Sequence, residues 1–332
     1  MDLESRVLAG NPLGDPATRQ LAVYRPPSGV TEGKPLLLHL PGFTGAGWLE
    51  AQRERMYSES LFRVFDRLVT SGRCGEAVLI APDCATLLGG SQYVNSSATG
   101  RYEDYVMDEV LPWAKETLHT GPTGILGQSS GGFGALHLAM NHPDQFQAVG
   151  SSAGDMAFDL CFLLEIPRAV RRIREAGGPE ELLGRLIEEP GLLRSPTDPT
   201  VSALILLAMG ACYSPRSGEG AAFDLPFDVD TGEIVLEIWE RWLRFDPVTR
   251  LKEESTQAAL RRLRSVHVTA SRADEWYLDL AARRFARVAS MHGVPVIHEE
   301  FEGGHFDRSP RFEALFRRMV EALTRSSEGA VP

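Results

Sequence analysis

The segment Gly127-Gln128-Ser129-Ser130-Gly131 is the part of this sequence that decides how the chain is expected to fold and act. It follows a short apolar run and opens a segment that is compatible with a helix. A serine in a GxSxG pentapeptide between a strand and a helix sits on a sharp turn that exposes its hydroxyl, and the two glycines leave room for neighbouring backbone. Ser129 is therefore the candidate nucleophile; the alternative is a serine that only caps the following helix.

Short apolar segments alternate with amphipathic segments on both sides of this pentapeptide. Strands are predicted at residues 21–24, 36–40, 77–81, 123–126, 148–151, 266–270 and 295–301, and helices at 103–118, 132–141, 275–291 and 310–323. Apolar strands that alternate with helices indicate a mostly parallel sheet with helices on both faces. We expect this sheet to belong to a single domain that spans residues 1–332.

Residues 155–250 interrupt this alternation. They read as helices and proline-bearing loops, and the strand and helix pattern resumes after them. We therefore predict a helical cap inserted above the ends of the strands, with a separate helical domain as the alternative. The apolar run 201–209 within this insertion is either a lid helix or the core of the cap.

Composition excludes several classes of function. The formal net charge of -11 argues against a nucleic-acid partner, because phosphate binding needs a basic surface. The four cysteines form no CxxC pair, and no histidine pair has the HExxH spacing, so neither a metal nor another cofactor is expected. The N-terminus lacks an apolar signal segment, and the longest apolar stretch is too short to span a bilayer. A cytoplasmic protein without a membrane span is predicted, and a homo-oligomer remains open.

A serine hydroxyl is a weak nucleophile at neutral pH, so it needs a base and an acid that orients this base. His305 lies in Gly-Gly-His, directly after a predicted strand, and Asp274 lies in the loop after the preceding strand. The order Ser129, Asp274, His305 is that of the α/β-hydrolase fold. The alternatives are a helix-capping role for Asp274 and a loop histidine at position 305. Glu275 and Asp279 are fallback acids.

Acyl transfer also needs donors for the oxyanion that forms on the attacked carbonyl. The backbone amide of Ser130 is one candidate, and the amide of Phe43, in the loop after strand 36–40, is the other, with Thr44 as the next choice. A glycine-rich turn without this role is the alternative for the second loop. Substrate contacts are expected from residues beside the two loops: Thr44, Trp48 and Gln128.

Five segments resemble one family of enzymes. They are residues 38–45, 89–96, 102–106, 127–135 and 303–305. In these segments the chain resembles the putative esterase family of α/β-hydrolases, which includes esterase D, enterochelin esterases, feruloyl esterase domains and the mycolyltransferases. The resemblance implies a serine hydrolase with the triad named above. The chain departs from many members by carrying Pro41-Gly42 instead of His-Gly in the oxyanion loop, and its insertion is longer than in compact members.

These observations predict a serine carboxylesterase with an α/β-hydrolase fold. Its substrate would be a small-molecule ester, cleaved through an acyl-enzyme on Ser129 without a metal or cofactor. Two alternatives fit the same sequence. One is an acyltransferase that uses the same triad, and the other is a catalytically silent binding module that keeps the fold.

Overall fold

A computed structural model describes residues 1–52, 59–189, 198–218 and 220–325. In this part of the chain the strands are β1 (Asp2–Glu4), β2 (Thr18–Tyr24), β3 (Leu36–Leu40), β4 (Val78–Pro82), β5 (Asn95–Ser96), β6 (Gly100–Arg101), β7 (Thr123–Gln128), β8 (Ala148–Ser152), β9 (Ser265–Ser271) and β10 (Ile297–Phe301). Eight of them form one sheet in the order β1-β2-β4-β3-β7-β8-β9-β10. Strand β2 is antiparallel to both of its neighbours, and the strands from β4 to β10 in this order pair in parallel.

Helices lie between the strands of this sheet and after its last strand. In the described ranges they are α1 (Gly47–Glu50), α2 (Leu61–Thr70), α3 (Tyr102–Asp104), α4 (Leu111–Leu118), α5 (Ser130–Asn141), α6 (Phe158–Cys161), α7 (Ile166–Ala176), α8 (Pro179–Glu188), α9 (Pro199–Tyr213), α10 (Leu236–Leu243), α11 (Pro247–Arg250), α12 (Glu254–Arg261), α13 (Leu278–Met291) and α14 (Arg308–Thr324). A π-helical segment, Tyr105–Val110, joins α3 to α4, and a 3₁₀ turn, Leu163–Glu165, precedes α7. None of the helices in these ranges is long and apolar enough to cross a membrane.

The central strands are buried on both faces, which explains why their sequences are continuous apolar runs. Helices α2 and α14 pack on one face of the sheet, where Phe65 and Phe316 contact each other. The other face is covered by a larger apolar cluster that includes α4, α5 and α13. Because the parallel strands all run the same way, their carboxyl ends meet at one edge, and the loops that follow them lie together there.

The predicted strands and the predicted parallel sheet are confirmed, with ends that differ by up to a few residues. The predicted helix 103–118 is divided by the π-helical segment, because Pro112 has no amide hydrogen to continue the regular hydrogen bonds. Helix α2 was not predicted. Its phenylalanines and valines have modest helix propensity, and burial against the sheet stabilises the helix instead.

Helices α6–α12 lie between β8 and β9, which are neighbours in the sheet. Their apolar side chains belong to the same cluster as the side chains on the adjacent face of the sheet. For example, Phe158 and Tyr213 both contact the ring of Phe133 in α5. The inserted helices therefore pack directly on the helix that follows Ser129.

Candidate active site

Ser129 lies on the turn between β7 and α5. Its backbone has φ 55° and ψ -126°, which is a strained conformation for a residue with a side chain. The turn requires glycine on both sides: a Cβ on Gly131 would lie 1.9 Å from the carbonyl oxygen of Leu40, and a Cβ on Gly127 would lie 2.2 Å from that of Gly131. The pentapeptide thus forms a tight strand-to-helix turn, and Ser129 is partly exposed at its tip.

His305 and Asp274 form a buried pair. The Nδ1 atom of His305 lies 2.8 Å from Oδ2 of Asp274. The second carboxylate oxygen of Asp274 accepts hydrogen bonds from the backbone amides of Trp276, at 3.0 Å, and Leu278, at 3.4 Å. Asp274 therefore binds the imidazole with one oxygen and the start of α13 with the other, so the two roles considered for it coexist.

The two alternative acids, Glu275 and Asp279, contact other groups. Glu275 accepts a hydrogen bond from the backbone amide of His305, at 2.7 Å, and does not bind the imidazole. Asp279 lies 3.4 Å from the guanidinium of Arg283. Asp274 is consequently the carboxylate partner of the His305 ring.

Backbone contacts fix the position of the loop that carries His305. The carbonyl oxygen of His305 accepts hydrogen bonds from Arg311, at 2.5 Å, and from the side-chain amide of Gln128, at 3.2 Å. The side-chain oxygen of Gln128 also accepts a longer hydrogen bond from Arg308, at 3.4 Å. The Gln128 side chain, which was predicted to contact substrate, thus ties the nucleophile strand to the histidine loop.

Ser129 and His305 face the same cavity, which has a volume of about 400 Å³. Phe43 and Thr44 line it from the loop after β3. The amide of Thr44 donates to the carbonyl oxygen of Gly89 at 2.9 Å, so it is not available to an oxyanion. The amide of Phe43 has no such partner among the described residues, so it can serve as a donor.

Ser130 is the first residue of α5, so its amide has no partner within the helix. Its hydroxyl is engaged elsewhere: it lies 3.1 Å from Oδ2 of Asp155 and 3.1 Å from the side-chain nitrogen of Gln92. Burial raises the pKa of Asp155 to about 6. Asp155 was not predicted, although it follows a strand at the same edge of the sheet as the three triad residues.

Trp48, for which a substrate contact is predicted, is 41% exposed and does not line the cavity. A Cβ on Gly47 would lie 1.9 Å from the carbonyl oxygen of Ala81, so Gly47 packs against β4 and Trp48 is turned outward.

One wall of the cavity comes from the insertion. Val201, Leu204 and Ile205 of α9 line it together with Phe162. Leu206, on the same helix, is fully buried. The run 201–209 therefore contributes both to the cavity wall and to the packing of the inserted helices.

Three other aromatic side chains of the insertion, Phe158, Tyr213 and Phe227, are buried and do not line the cavity. Two further aromatic side chains, Trp276 and Phe306, line the cavity, and both contact the ring of His305. Apolar side chains from the insertion and from the loops near His305 thus contribute to the cavity lining. Within the described ranges, no three His, Cys, Asp or Glu side chains are grouped as metal ligands.

One family of known proteins matches most of this sequence. The sequence profile of a family described as putative esterase matches residues 16–323. No curated protein matches the chain.

Similar folds occur among solved structures. A ferulic acid esterase is similar with a TM-score of 0.59 at 19% identity, over 97% of this chain and 96% of its own. An S-formylglutathione hydrolase from Agrobacterium tumefaciens has a TM-score of 0.57 at 15% identity, over 97% of this chain and 94% of its own. A fluorophosphonate-binding serine hydrolase from Staphylococcus aureus has a TM-score of 0.57 at 14% identity, over 98% of this chain and 97% of its own.

Proposed function

Since the chain belongs to the putative esterase family and is a carboxylic ester hydrolase with the α/β-hydrolase fold, we propose that it cleaves a small-molecule ester through an acyl-enzyme on Ser129. His305 acts as the base, Asp274 orients it, and the amides of Phe43 and Ser130 stabilise the oxyanion. The observation that carries this proposal is that Ser129, on its strained turn, and His305, whose ring is paired with Asp274, line one cavity.

The position of the proton on His305 follows from its contact with Asp274. The carboxylate accepts the Nδ1 proton, so Nε2 is the nitrogen left to take the proton of Ser129. The Ser129 oxygen attacks the acyl carbon, and negative charge develops on the carbonyl oxygen beside the two amides. His305 then protonates the leaving alcohol, and afterwards it removes a proton from the water that hydrolyses the acyl-enzyme.

We further propose that residues 155–250 form a cap that shapes the substrate cavity. Helix α9 supports this role because three of its apolar side chains line the cavity together with Trp276 and Phe306. Apolar walls of this kind bind the hydrocarbon part of a ligand and exclude water from the reacting atoms.

Labelling with a fluorophosphonate tests the proposed nucleophile, because this reagent forms a covalent bond with an activated serine. We expect Ser129→Ala to abolish labelling and to lower ester turnover by about four orders of magnitude or more, since triad residues act as a unit. His305→Ala should lower turnover by a similar factor. Ser290→Ala, which changes an exposed serine on α13, is the matched control.

Two outcomes would contradict the proposal. Labelling of Ser129→Ala at the rate of the unchanged protein would place the nucleophile elsewhere. Full turnover in His305→Ala would exclude His305 as the base. Product analysis in the presence of an added alcohol distinguishes hydrolysis from acyl transfer to that alcohol.

A further inference from the structure

More acidic than basic side chains line the cavity. Three carboxylates line it, Glu50, Asp155 and Glu165, and each of these residues is more than nine-tenths buried. The one Lys or Arg side chain among the described lining residues is Arg308, and its guanidinium lies 2.7 Å from Glu50. This ion pair neutralises one carboxylate and leaves the other two to be balanced by other groups.

Glu165 is partly balanced by residues of the insertion. It accepts a hydrogen bond from the hydroxyl of Ser202 and lies 3.6 Å from the guanidinium of Arg168. Asp155, by contrast, has no Lys or Arg nitrogen within 4.0 Å in the described part of the chain. Among the three buried carboxylates of the cavity, Asp155 is therefore the one without a Lys or Arg partner in the described part of the chain.

Asp155 also has an unused oxygen. Its Oδ2 atom accepts from Ser130, at 3.1 Å, and from Gln92, at 3.4 Å. Its Oδ1 atom has no hydrogen-bond partner among the described residues, although only 7% of the residue surface is exposed and the residue faces the cavity. This oxygen is not among the buried side-chain atoms that lack a partner, so it is accessible, and a donor on a bound ligand can reach it.

The backbone holds Asp155 in this position. Ala153 has φ 45° and Ala157 has φ 53°, so two residues with side chains adopt the left-handed conformation on either side of it. Their amides are fixed by hydrogen bonds to the carbonyl oxygen of Thr269, at 2.6 Å, and to the carboxylate of Asp246, at 2.7 Å. Strained residues that the surroundings hold in place are typical of functional sites.

The location of this carboxylate bears on catalysis. Asp155 contacts the side chain of Ser130, whose amide is a proposed oxyanion donor. An ionised carboxylate next to a developing oxyanion opposes the reaction, because like charges repel strongly in a buried site. A cation bound at Asp155 would remove this repulsion and stabilise the transition state.

We propose that Asp155 binds a protonated amine of the substrate, so that the preferred esters carry an ammonium group on their acyl or alcohol part. This inference rests on the proposed function of Ser129. The free Oδ1 atom of Asp155 accepts the N–H of the ammonium group. The rings of Phe162, Trp276 and Phe306 in the cavity walls contact its alkyl substituents, as aromatic rings commonly do with ligand cations. Esters that carry a carboxylate are disfavoured by the same charges.

Two pairs of esters of equal shape isolate the effect of the charge. In the first pair, 2-(dimethylamino)ethyl butanoate is compared with 3-methylbutyl butanoate, in which a C–H replaces the protonated nitrogen of the alcohol part. In the second pair, ethyl 4-(dimethylamino)butanoate is compared with ethyl 5-methylhexanoate, which makes the same replacement in the acyl part. At about pH 7 the amines are protonated and an acid with a pKa near 6 is mostly ionised.

We expect kcat/KM for the ammonium ester to exceed that of its neutral partner by about 10-fold or more in at least one pair. The reason is that a charge-assisted hydrogen bond raises the affinity by about a factor of ten or more. Asp155→Asn keeps the shape of the side chain and removes its charge, and it should bring the ratio for that pair close to one. Asp159→Asn makes the same change at a carboxylate of α6 that does not line the cavity, and it should leave the ratio unchanged.

Three results would overturn the inference, and they are distinguishable. If Ser129-dependent hydrolysis is equal for both members of each pair, or faster for the neutral esters, the ammonium preference is wrong and the esterase mechanism stands. If the preference survives in Asp155→Asn, the cation binds at another carboxylate. If none of the four esters is hydrolysed in a Ser129-dependent way, the proposed function fails and the inference fails with it.

Discussion

Arg311 has an unusual environment for an arginine side chain. It is fully buried on α14, and its guanidinium donates to the carbonyl oxygen of His305. Two of its three nitrogens have no hydrogen-bond partner among the described residues. Burial lowers the pKa of Arg311 to about 10, and the negative charge of Asp274 acts in the opposite direction. A buried cation without a direct ion pair destabilises a fold, so its contact with the histidine loop indicates a positioning role.

Replacement of Arg311 tests this role. We expect Arg311→Met to lower kcat/KM by about 10- to 100-fold, because small displacements of a catalytic group have large effects on the rate. The loss should appear mainly in kcat, and the melting temperature should stay equal or rise, since a buried charge is removed. Arg318→Met, at a more exposed arginine of the same helix, is the control. A lower melting temperature with unchanged kcat would show that Arg311 is only structural.

At the scale of elements, helix α9 has two apolar faces. Leu206 and Leu207 are fully buried in the packing of the insertion, whereas Leu204 and Ile205 line the cavity. A helix that is apolar around its whole circumference is expected where it is enclosed by other elements. In this helix part of the apolar surface faces the cavity, so we expect its residues to divide into a stabilising group and a group that determines specificity.

Alanine substitutions on the two faces should separate these groups. Ile205→Ala enlarges the cavity, and we expect it to raise kcat/KM for long acyl chains relative to short ones by about 10-fold or more, the usual effect of one or two methylene groups in a pocket. Leu206→Ala should instead lower the free energy of unfolding by about 2–5 kcal/mol and leave the chain-length preference unchanged. A series of acyl-chain lengths and urea unfolding measure the two effects. The division is wrong if both substitutions shift the preference alike.

At the scale of the whole molecule, burial on both faces of the sheet encloses ionisable side chains. His39 in β3, His137 in α5 and His267 in β9 are buried, and burial lowers the pKa of all three, that of His39 to about 4. The unfolded chain binds their protons near a pKa of 6.5. Folding therefore excludes protons that the unfolded state accepts, and the fold loses stability as the pH falls below this value.

Hydrogen bonds to His137, at 3.0 Å, and to His142, at 2.8 Å, keep the pKa of Glu103 well below its usual range despite burial. A lowered carboxyl pKa changes the stability in the same direction as the buried histidines do, because its stabilising effect is also lost as the pH falls. Asp155 has the opposite sign: its raised pKa means that the folded state gains stability as the pH falls from about 6 to about 4. Because the buried histidines and Glu103 outnumber Asp155, we expect a net loss of stability in acid.

His39 offers the sharpest test of this balance, since neither ring nitrogen has a hydrogen-bond partner among the described residues. We expect the free energy of unfolding to fall between pH 7 and pH 5. His39→Leu should reduce this fall by on the order of 2 kcal/mol, the difference between a group that titrates at about 6.5 unfolded and about 4 folded. His119→Asn, at an exposed histidine, should leave the pH dependence as it is. An equally steep fall in His39→Leu would contradict the assignment.

The sequence alone determined the features that depend on neighbours along the chain. The glycines around Ser129 are required by the tight turn, so a local pattern was enough to locate the serine. Strands buried on both faces must be continuous apolar runs, and this periodicity predicted the parallel sheet. Because parallel strands end at one edge, the positions of Asp274 and His305 after successive strands predicted that they would lie together.

Tertiary structure decided the features that depend on burial and on contacts between distant residues. Asp155 and Arg311 read in the sequence as ordinary surface charges, and only packing encloses them beside the cavity and the histidine loop. Trp48 lies near the oxyanion loop in sequence, but the close approach of its neighbour to β4 turns its ring to solvent. Whether a side chain is enclosed depends on every element that packs around it, and one segment of sequence does not contain this information.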